Sequence, residues 1–156
     1  MEERSVQEVV EAYAATVYRL ALAQTHSGAD ADDVFQEVFL RYVRSAPAFE
    51  SEEHRKAWLL RVTVNCCKKL HGSFWRRHTV ALSETIPALN EGEGELLDLL
   101  EGLPEKYRAV LHLYYFEGYD TQEISDILGR RAGTVRSQLS RGRALLRDAW
   151  KGAEEL

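Results

Sequence analysis

The most informative segment of the chain is residues 119–147, which read YDTQEISDILGRRAGTVRSQLSRGRALLR. Asp120 and Glu123 have the spacing of a capping box, which predicts that a helix begins here. Gly129 follows the apolar face of that helix and predicts a turn, because glycine adopts positive φ without a steric penalty. A capped helix, a glycine turn and a second helix together predict a helix-turn-helix.

The second helix of this pair combines an apolar stripe with an opposite face of different chemistry. The stripe recurs at helical spacing and consists of Val135, Leu139, Gly142 and Leu146. The opposite side carries small, hydroxyl and basic residues, namely Gly133, Thr134, Arg136, Ser137, Ser140, Arg141, Ala144 and Arg147. Such a face can enter a major groove, where arginine binds phosphates or guanine acceptors. This predicts DNA binding, with an ordinary helical hairpin and a solvated arginine-rich face as the alternative.

Charge is distributed unevenly along the chain. The protein has 20 Lys and Arg against 25 Asp and Glu, a net charge of −5. Residues 78–100 account for the whole deficit, since they hold five acids and neither Lys nor Arg. Residues 54–83 and 127–147, in contrast, contain no acid. Two basic stretches in an acidic protein predict two contacts with a polyanion, and two solvated helix faces are the alternative.

The remaining pattern is helical, and no strand-like alternation interrupts it. Apolar spacing predicts a helix over residues 5–24 and a second one that Asp30 or Asp32 caps and that ends near Ala46-Pro47. Ser51 and two glutamates predict the start of a third helix. Pro104 is expected at the first position of a later helix that Gly118 ends.

The predicted fold class is therefore all-α, with two small helical bundles joined by an acidic linker. The first bundle comprises residues 1–77 and the second residues 95–156, which contain the helix-turn-helix. Residues 78–94 lack sustained periodicity and are rich in turn-forming residues, which predicts the linker.

The sequence argues against several classes of protein. The sequence has no run of about 18 apolar residues, so it predicts no membrane span. The N-terminus lacks the apolar stretch of a signal peptide. The two adjacent cysteines, Cys66 and Cys67, fit a reducing compartment, so a cytoplasmic protein is expected. Adjacent cysteines project differently from a helix and do not form a four-ligand metal site. No catalytic or phosphate-binding motif is present, so neither an enzyme nor a cofactor is predicted.

Two stretches of the chain resemble the sigma factors of bacterial RNA polymerase. Residues 119–147, with the preceding LPEKYR of residues 103–108, resemble sigma region 4. Residues 32–77 resemble region 2, with DDVFQEVF at 32–39, Phe49, AWLLRV at 57–62, and Asn65. The order of the two regions and the short chain resemble those of the extracytoplasmic-function (ECF) group of sigma factors. The resemblance covers about residues 5–150.

The resemblance implies roles for residues of the first bundle. Asp33, Gln36 and Glu37 would bind the clamp helices of the polymerase β′ subunit. Phe49 and Asn65 would receive a base flipped from the −10 element, because an aromatic ring and an amide suit an unstacked base. The backbone of the −10 element would be held by basic residues, namely Arg61, Lys68, Lys69, Arg76 and Arg77.

In the second bundle, the resemblance places one set of residues against the −35 element. These are Arg131, Thr134, Arg136, Ser137, Gln138 and Arg141. The sequence departs from the family pattern at Gln138, where a basic residue is common, and at Gly142, where alanine is usual. The partners implied are core RNA polymerase, through its β′ clamp helices and β flap, promoter DNA, and an anti-sigma factor, with no membrane.

The function expected from this resemblance is promoter recognition and initiation of DNA-templated transcription as an ECF sigma factor. The main alternative is a helix-turn-helix regulator that binds duplex DNA without polymerase. Residues 32–65 discriminate between the two, because such a regulator has no reason to carry them. A third possibility is a sigma-like adaptor that binds polymerase but does not melt promoters.

Overall fold

The structure is a computed structural model that describes residues 4–45, 47–71, 100 and 102–154. These residues form six α-helices and no strand, which confirms the predicted all-α fold class. The chain divides into two compact units, Met1–Ala88 and Leu89–Leu156. The predicted linker, residues 78–94, lies outside the described residues, so the proposed domain limits remain a prediction.

Three mutually packed helices build the N-terminal unit: α1 (Val6–Thr25), α2 (Gly28–Ser45) and α3 (Glu52–His71). The helix predicted over residues 5–24 is thus confirmed to within one residue. Apolar side chains from all three helices meet in one core, which includes Val9, Val17, Val34, Val38, Leu59 and Leu70. Burial of these side chains is the main favourable contribution to folding of this unit.

The junction between α1 and α2 is only two residues long. His26 takes a left-handed conformation at the end of α1, with φ of 53°. Ser27 then caps α2, since its Oγ accepts a hydrogen bond from the Asp30 backbone N–H at 3.2 Å. The prediction that Asp30 or Asp32 caps this helix was wrong, because both lie inside α2 and are buried. A serine immediately beyond the break supplies the cap instead.

The C-terminal unit contains α4 (Glu105–Tyr115), α5 (Thr121–Leu128) and α6 (Ala132–Glu154). Its core includes Ala109, Val110, Leu113, Ile124, Val135 and Leu139. Pro104 is the extended residue before α4 and not its first position, so that prediction was wrong by one residue. Gly118 does not end α4 either. It lies three residues beyond Tyr115 with φ of +74°, and it turns the chain toward α5.

Gly142 marks a close approach between α4 and α6. A Cβ at this position would lie 3.2 Å from Leu111 Cδ1 and 3.4 Å from Tyr107 Cβ. Both distances are short for carbon atoms that are not bonded. Gly142 therefore lets the two helices pack more closely than a larger residue would allow.

Candidate nucleic-acid interface

The helix-turn-helix is formed by α5, α6 and the turn between them. The predicted capping box is present: Asp120 Oδ1 accepts from the Glu123 N–H at 2.8 Å, and Glu123 Oε1 accepts from the Asp120 N–H at 3.0 Å. Gly129 ends α5 in the left-handed region with φ of 67°. Sequence reasoning therefore located this motif correctly, because its signals are local.

α6 turns one side to the core and the other to solvent. Val135, Leu139 and Gly142 of the predicted apolar stripe are buried, and Leu146 is half-buried. Among the predicted −35 residues, those that are exposed are Arg131, Thr134, Arg136, Ser137 and Arg141. The structure thus gathers hydroxyl and guanidinium groups on one accessible helix face, with donors suited to phosphate oxygens and base edges.

Gln138, the sixth predicted −35 residue, is half-buried and has a protein partner. Its Oε1 accepts a hydrogen bond from Arg130 Nη1 at 2.8 Å, and the same nitrogen donates to the Lys106 carbonyl oxygen at 3.2 Å. Burial lowers the pKa of Arg130. The sequence placed Arg130 only within a basic stretch, because its partners lie 8 and 24 residues away.

Arg143 is also engaged inside the C-terminal unit. Its guanidinium lies 4.9 Å from the centre of the Tyr114 ring and 5.8 Å from that of Tyr115. Its Nε donates to the Tyr115 hydroxyl at 2.9 Å. Arg141, two positions earlier, is exposed. The arginines of the basic stretch therefore divide into some that brace the fold and others that face solvent.

In the N-terminal unit, Phe49 is half-buried within a cluster of rings. Its ring stacks on Tyr42 with centroids 6.2 Å apart, and it meets Trp58 edge-on at 6.0 Å and His54 at 5.2 Å. The guanidinium of Arg55 lies 5.2 Å from the centre of the same ring. Phe49 is thus held in place by its neighbours and keeps part of its surface accessible.

Glu52 anchors Arg55 behind this cluster. Its carboxylate pairs with Arg55 and, at 3.2 Å, with Arg4, and it accepts a hydrogen bond from the Tyr13 hydroxyl at 3.0 Å. Burial alone would raise the pKa of Glu52, but the hydrogen bonds from Arg55 and Tyr13 outweigh it, so this pKa lies below its ordinary value. Burial and the bond to Glu52 raise the pKa of Tyr13. The network ties α1 to the first turn of α3.

The other predicted −10 residues lie along the outer side of α3. Arg61, Asn65, Lys68 and Lys69 are all exposed and are spaced so that they share one side of the helix. Arg76 and Arg77, which were predicted to act with them, lie outside the described residues. The described part of this group is an amide flanked by three cations, as contact with a nucleic acid backbone requires.

The predicted polymerase-binding residues lie on α2. Gln36 is exposed, Asp33 is half-buried, and Glu37 forms an ion pair with Arg41 at 3.0 Å. Sequence reasoning missed two apolar neighbours, Leu40 and Val43, whose side chains are 46% and 52% exposed. They follow Gln36 at i+4 and i+7, so they extend the polar group into a mixed surface on the same side of α2. A helical wheel could have identified them, because Val38, Phe39 and Tyr42 already occupy the buried side.

The C-terminal unit has an open apolar pocket of about 160 Å³ that sequence reasoning did not predict. Its walls are Leu100, Leu111, Tyr115, Phe116 and Leu146. Tyr115, at its rim, is 53% exposed. A concave apolar surface of this kind suits one or two apolar side chains of a partner.

Two negative findings concern the described residues alone. No three His, Cys, Asp or Glu side chains in this part of the chain lie together as a metal site would require. No helix within it combines the length and apolar character needed to cross a membrane.

Comparison with known families identifies both halves of the chain. Residues 9–79 match the family described as Sigma-70 region 2, and residues 93–146 match Sigma-70, region 4. These matches cover α1 to α3 and α4 to α6 respectively, apart from the ends of the outer helices.

Two relatives are similar over most of this chain. The ECF RNA polymerase sigma factor SigE of Mycolicibacterium smegmatis is 34% identical over 154 residues, which cover 90% of this chain and 60% of that protein. The ECF RNA polymerase sigma factor SigL of Mycobacterium tuberculosis is 31% identical over 138 residues, 81% of this chain and 78% of that protein. The chain therefore spans less than two thirds of the length of the first relative.

A solved structure has the same fold. It is the sigma factor RpoE of Bartonella quintana in complex with the anti-sigma factor NepR, with a TM-score of 0.71 at 20% sequence identity. The alignment covers 93% of this chain and 96% of that one.

Proposed function

The chain belongs to the sigma-70 family, in its ECF group, and from this membership we propose that it directs promoter recognition and transcription initiation by bacterial RNA polymerase. In this proposal the polymerase performs the chemistry. This protein is not an enzyme and supplies contacts with the polymerase and with promoter DNA. The proposal places the protein in the cytoplasm, where the polymerase works.

The observation that carries the proposal is the presence of both modules in one chain and in this order. A regulator that binds duplex DNA without polymerase would need only the match over residues 93–146. The match over residues 9–79 covers the whole helical core of the N-terminal unit and has no use in such a regulator. The alternative is therefore not favoured.

The outer side of α2 is the surface that we assign to the polymerase. Asp33, Gln36 and Glu37 offer polar contacts to the β′ clamp helices, and Leu40 and Val43 add apolar area beside them. Exposed apolar residues next to charged ones are typical of protein interfaces, which combine an apolar centre with a polar rim. Their exposure supports this assignment, because the N-terminal core does not use either side chain.

The promoter contacts of the N-terminal unit centre on Phe49 and Asn65. The ring of Phe49 would pack on an unstacked −10 base, and Asn65 offers both a donor and an acceptor to a base edge. Arg61, Lys68 and Lys69 lie on the same helix as Asn65 and would hold the backbone, together with Arg76 and Arg77. Support comes from the held position of Phe49 and the exposure of the α3 residues.

The promoter contacts of the C-terminal unit lie on α6 and at the residue that precedes it. We assign the −35 element to six residues: Arg131, Thr134, Arg136, Ser137, Gln138 and Arg141. Five of them are exposed, four on α6 and Arg131 immediately before it, and the second helix of this motif is the one that meets the major groove.

Two further partners are assigned to the protein as a whole or to its C-terminal unit. The apolar pocket between α4 and α6 suits the β flap of the polymerase, because Leu111 and Leu146 offer a concave apolar surface. An anti-sigma factor is proposed from the Bartonella quintana sigma factor, whose structure contains one.

Reconstitution with core RNA polymerase tests the function. The purified full chain is mixed with core polymerase and a set of promoters, and both stable association and promoter-dependent transcripts are measured. We expect both to be observed. Tight binding to duplex DNA by the free protein, without association with core polymerase, would support the regulator instead. Association without promoter-dependent transcripts would support the adaptor.

A further inference from the structure

Arg130 connects three segments of the C-terminal unit. Its Nη1 donates to Gln138 on α6 and to the Lys106 carbonyl oxygen at the start of α4. Its backbone is fixed as well: the Arg130 N–H donates to the Ser125 carbonyl oxygen at 3.1 Å, and the Ser125 hydroxyl donates to the Arg130 carbonyl oxygen. The side chain therefore extends from a rigid turn and is not an exposed arm.

This contact determines how the Gln138 side chain is oriented. A guanidinium only donates hydrogen bonds, so the amide group that faces it must be the oxygen. The amide nitrogen, with its two donors, is left for another partner. Thr134 and Arg141, one turn before and one turn after Gln138 on the same side of α6, are both exposed. Gln138 thus lies between two exposed residues of the surface that we assign to the −35 element, and its amide nitrogen is the group that Arg130 leaves available to that surface.

The orientation matters because glutamine recognises adenine with both ends of its amide. In that contact the amide oxygen accepts from adenine N6 while the nitrogen donates to N7. At Gln138 a guanidinium 2.8 Å away already occupies one lone pair of this oxygen, and its positive charge opposes the approach of a second donor, the adenine amino group. Guanine N7 and O6 and thymine O4 only accept hydrogen bonds, so they need just the free nitrogen.

We propose that Arg130 is a positioning residue that favours hydrogen-bond acceptors over donors at Gln138 and so disfavours adenine at one position of the −35 element. This assignment rests on the proposed function, since it takes α6 as the helix that reads duplex DNA. Arg130 acts through Gln138 and not by contact with the DNA. The same pair explains why Gln138 is half-buried beside exposed neighbours: its oxygen is turned inward.

The test is a promoter library transcribed by polymerase holoenzyme containing the full chain, with the −35 bases randomised. Relative transcript levels are measured for wild type, Arg130→Met, Gln138→Ala and the double variant. Met keeps an apolar stem of similar length and removes the donors. We expect Arg130→Met to raise adenine relative to guanine at one −35 position by about fivefold, the lower range for one base contact. In the Gln138→Ala background, the same change should have no effect on that ratio.

The readout is a ratio between bases in one reaction, so a smaller amount of folded protein cancels out. Arg131→Met is the matched control, because it removes the neighbouring exposed arginine and should lower transcription from all library members alike. The assignment is overturned if Arg130→Met also lowers transcription from all library members alike. It is overturned as well if Arg130→Met still changes the adenine-to-guanine ratio in the Gln138→Ala background. It is also overturned if Gln138→Ala weakens all bases equally, which indicates a phosphate contact.

Failure of the proposed function gives a different result. If the wild-type holoenzyme produces no promoter-dependent transcripts, the sigma-factor proposal fails, and the assignment of Arg130 fails with it. If the wild type is active and selective at the −35 element but the Arg130→Met profile is unchanged, only the assignment of Arg130 is wrong.

Discussion

Phe49 in the N-terminal unit and three candidate arginines in the C-terminal unit are held in opposite ways. In the N-terminal unit, Phe49 is surrounded by rings and by the guanidinium of Arg55, which Glu52 anchors in turn. In the C-terminal unit, Arg131, Arg136 and Arg141 are exposed, and none forms a hydrogen bond or ion pair with another described residue.

Under the proposed function, this difference corresponds to two kinds of DNA. An unstacked base needs a preformed surface, because a side chain that is already fixed loses little conformational freedom on binding. A duplex presents repeating phosphates and base edges, so long mobile arginines can adjust to it at the cost of ordering each one. At Phe49 the side-chain conformational entropy is thus lost on folding, whereas at the exposed arginines it would be lost on binding.

The sharpest test of this contrast is Arg55→Met, which removes the guanidinium beside Phe49. Arg55 is 4% exposed, and its loss leaves Glu52 without its closest partner. We expect the free energy of unfolding of the N-terminal unit to fall by about 2 kcal/mol, less than for a fully buried pair because Glu52 stays in contact with water. Urea unfolding followed by circular dichroism measures the change.

The matched control is Arg41→Met, which breaks the pair with Glu37 on the surface of α2. An i,i+4 pair of this kind contributes about 0.3–0.5 kcal/mol. Equal losses of unfolding free energy in the two variants would show that the Arg55–Glu52 pair does not hold Phe49 in place. The contrast between the units would then disappear.

The second prediction concerns the exposed arginines. Arg141→Ala should reduce transcription that depends on the −35 element by about tenfold, within the range of one arginine contact to a base, while leaving core binding intact. Arg143→Ala removes the same charge two positions later, but there it breaks the contacts with Tyr114 and Tyr115. It should lower the melting temperature more than it changes promoter preference. Transcription from promoters with and without a −35 element, together with melting curves, separates the two effects. Loss of binding to core polymerase in Arg141→Ala would contradict the assignment of Arg141 to the −35 element alone.

The third prediction is a pH dependence confined to the N-terminal unit. The folded-state pKa of Glu52 is below its ordinary value of 4.5, so its contribution is fully present above pH 4.5 and is lost as the pH falls through the folded pKa. Solvent screens this half-exposed carboxylate, so the contribution is less than about 1 kcal/mol. Unfolding of the wild type and of Glu52→Gln between pH 7 and pH 3 measures it, since the variant lacks this component. Parallel curves would show that Glu52 does not couple the network to pH.

The smallest effect is expected at Gly142. Alanine there gains up to about 1 kcal/mol of helix propensity. Its Cβ would, however, lie 3.2 Å from Leu111 Cδ1 and 3.4 Å from Tyr107 Cβ, so these neighbours would have to shift. We expect Gly142→Ala to destabilise the C-terminal unit slightly, by less than about 1 kcal/mol. Gly133→Ala is the control, because its Cβ would come no closer than 3.7 Å to any neighbour, and it should not destabilise. A clear gain at Gly142 would mean that α4 and α6 have room to separate.

Local sequence signals predicted the helices and the helix-turn-helix well. The Asp120 cap, the Gly129 turn and the stripe from Val135 to Gly142 each depend on residues a few positions apart, and each is present in the structure. The errors at Asp30 and Pro104 are also local: Ser27, three residues before Asp30, caps α2, and Pro104 is the N-cap residue of α4 and not its first helical residue.

Contacts between distant residues could not be predicted in this way. Arg130 and Arg143 belong to the same basic stretch as Arg141, yet tertiary partners 24 and 28 residues away hold them against the protein. Residue type and periodicity give the face of a helix but do not tell which charged side chains on it are already engaged.

Burial of Cys66 and Cys67 has a practical consequence. The two neighbouring thiols are 2% and 0% exposed although they point in different directions from α3, and burial raises the pKa of Cys66. Because both thiols are buried, an alkylating reagent reaches them only when this part of the helix bundle opens. The raised pKa further reduces the fraction of reactive thiolate at Cys66 while the bundle is closed. The rate of alkylation is therefore a built-in measure of how often the N-terminal unit unfolds locally, and it needs no added label.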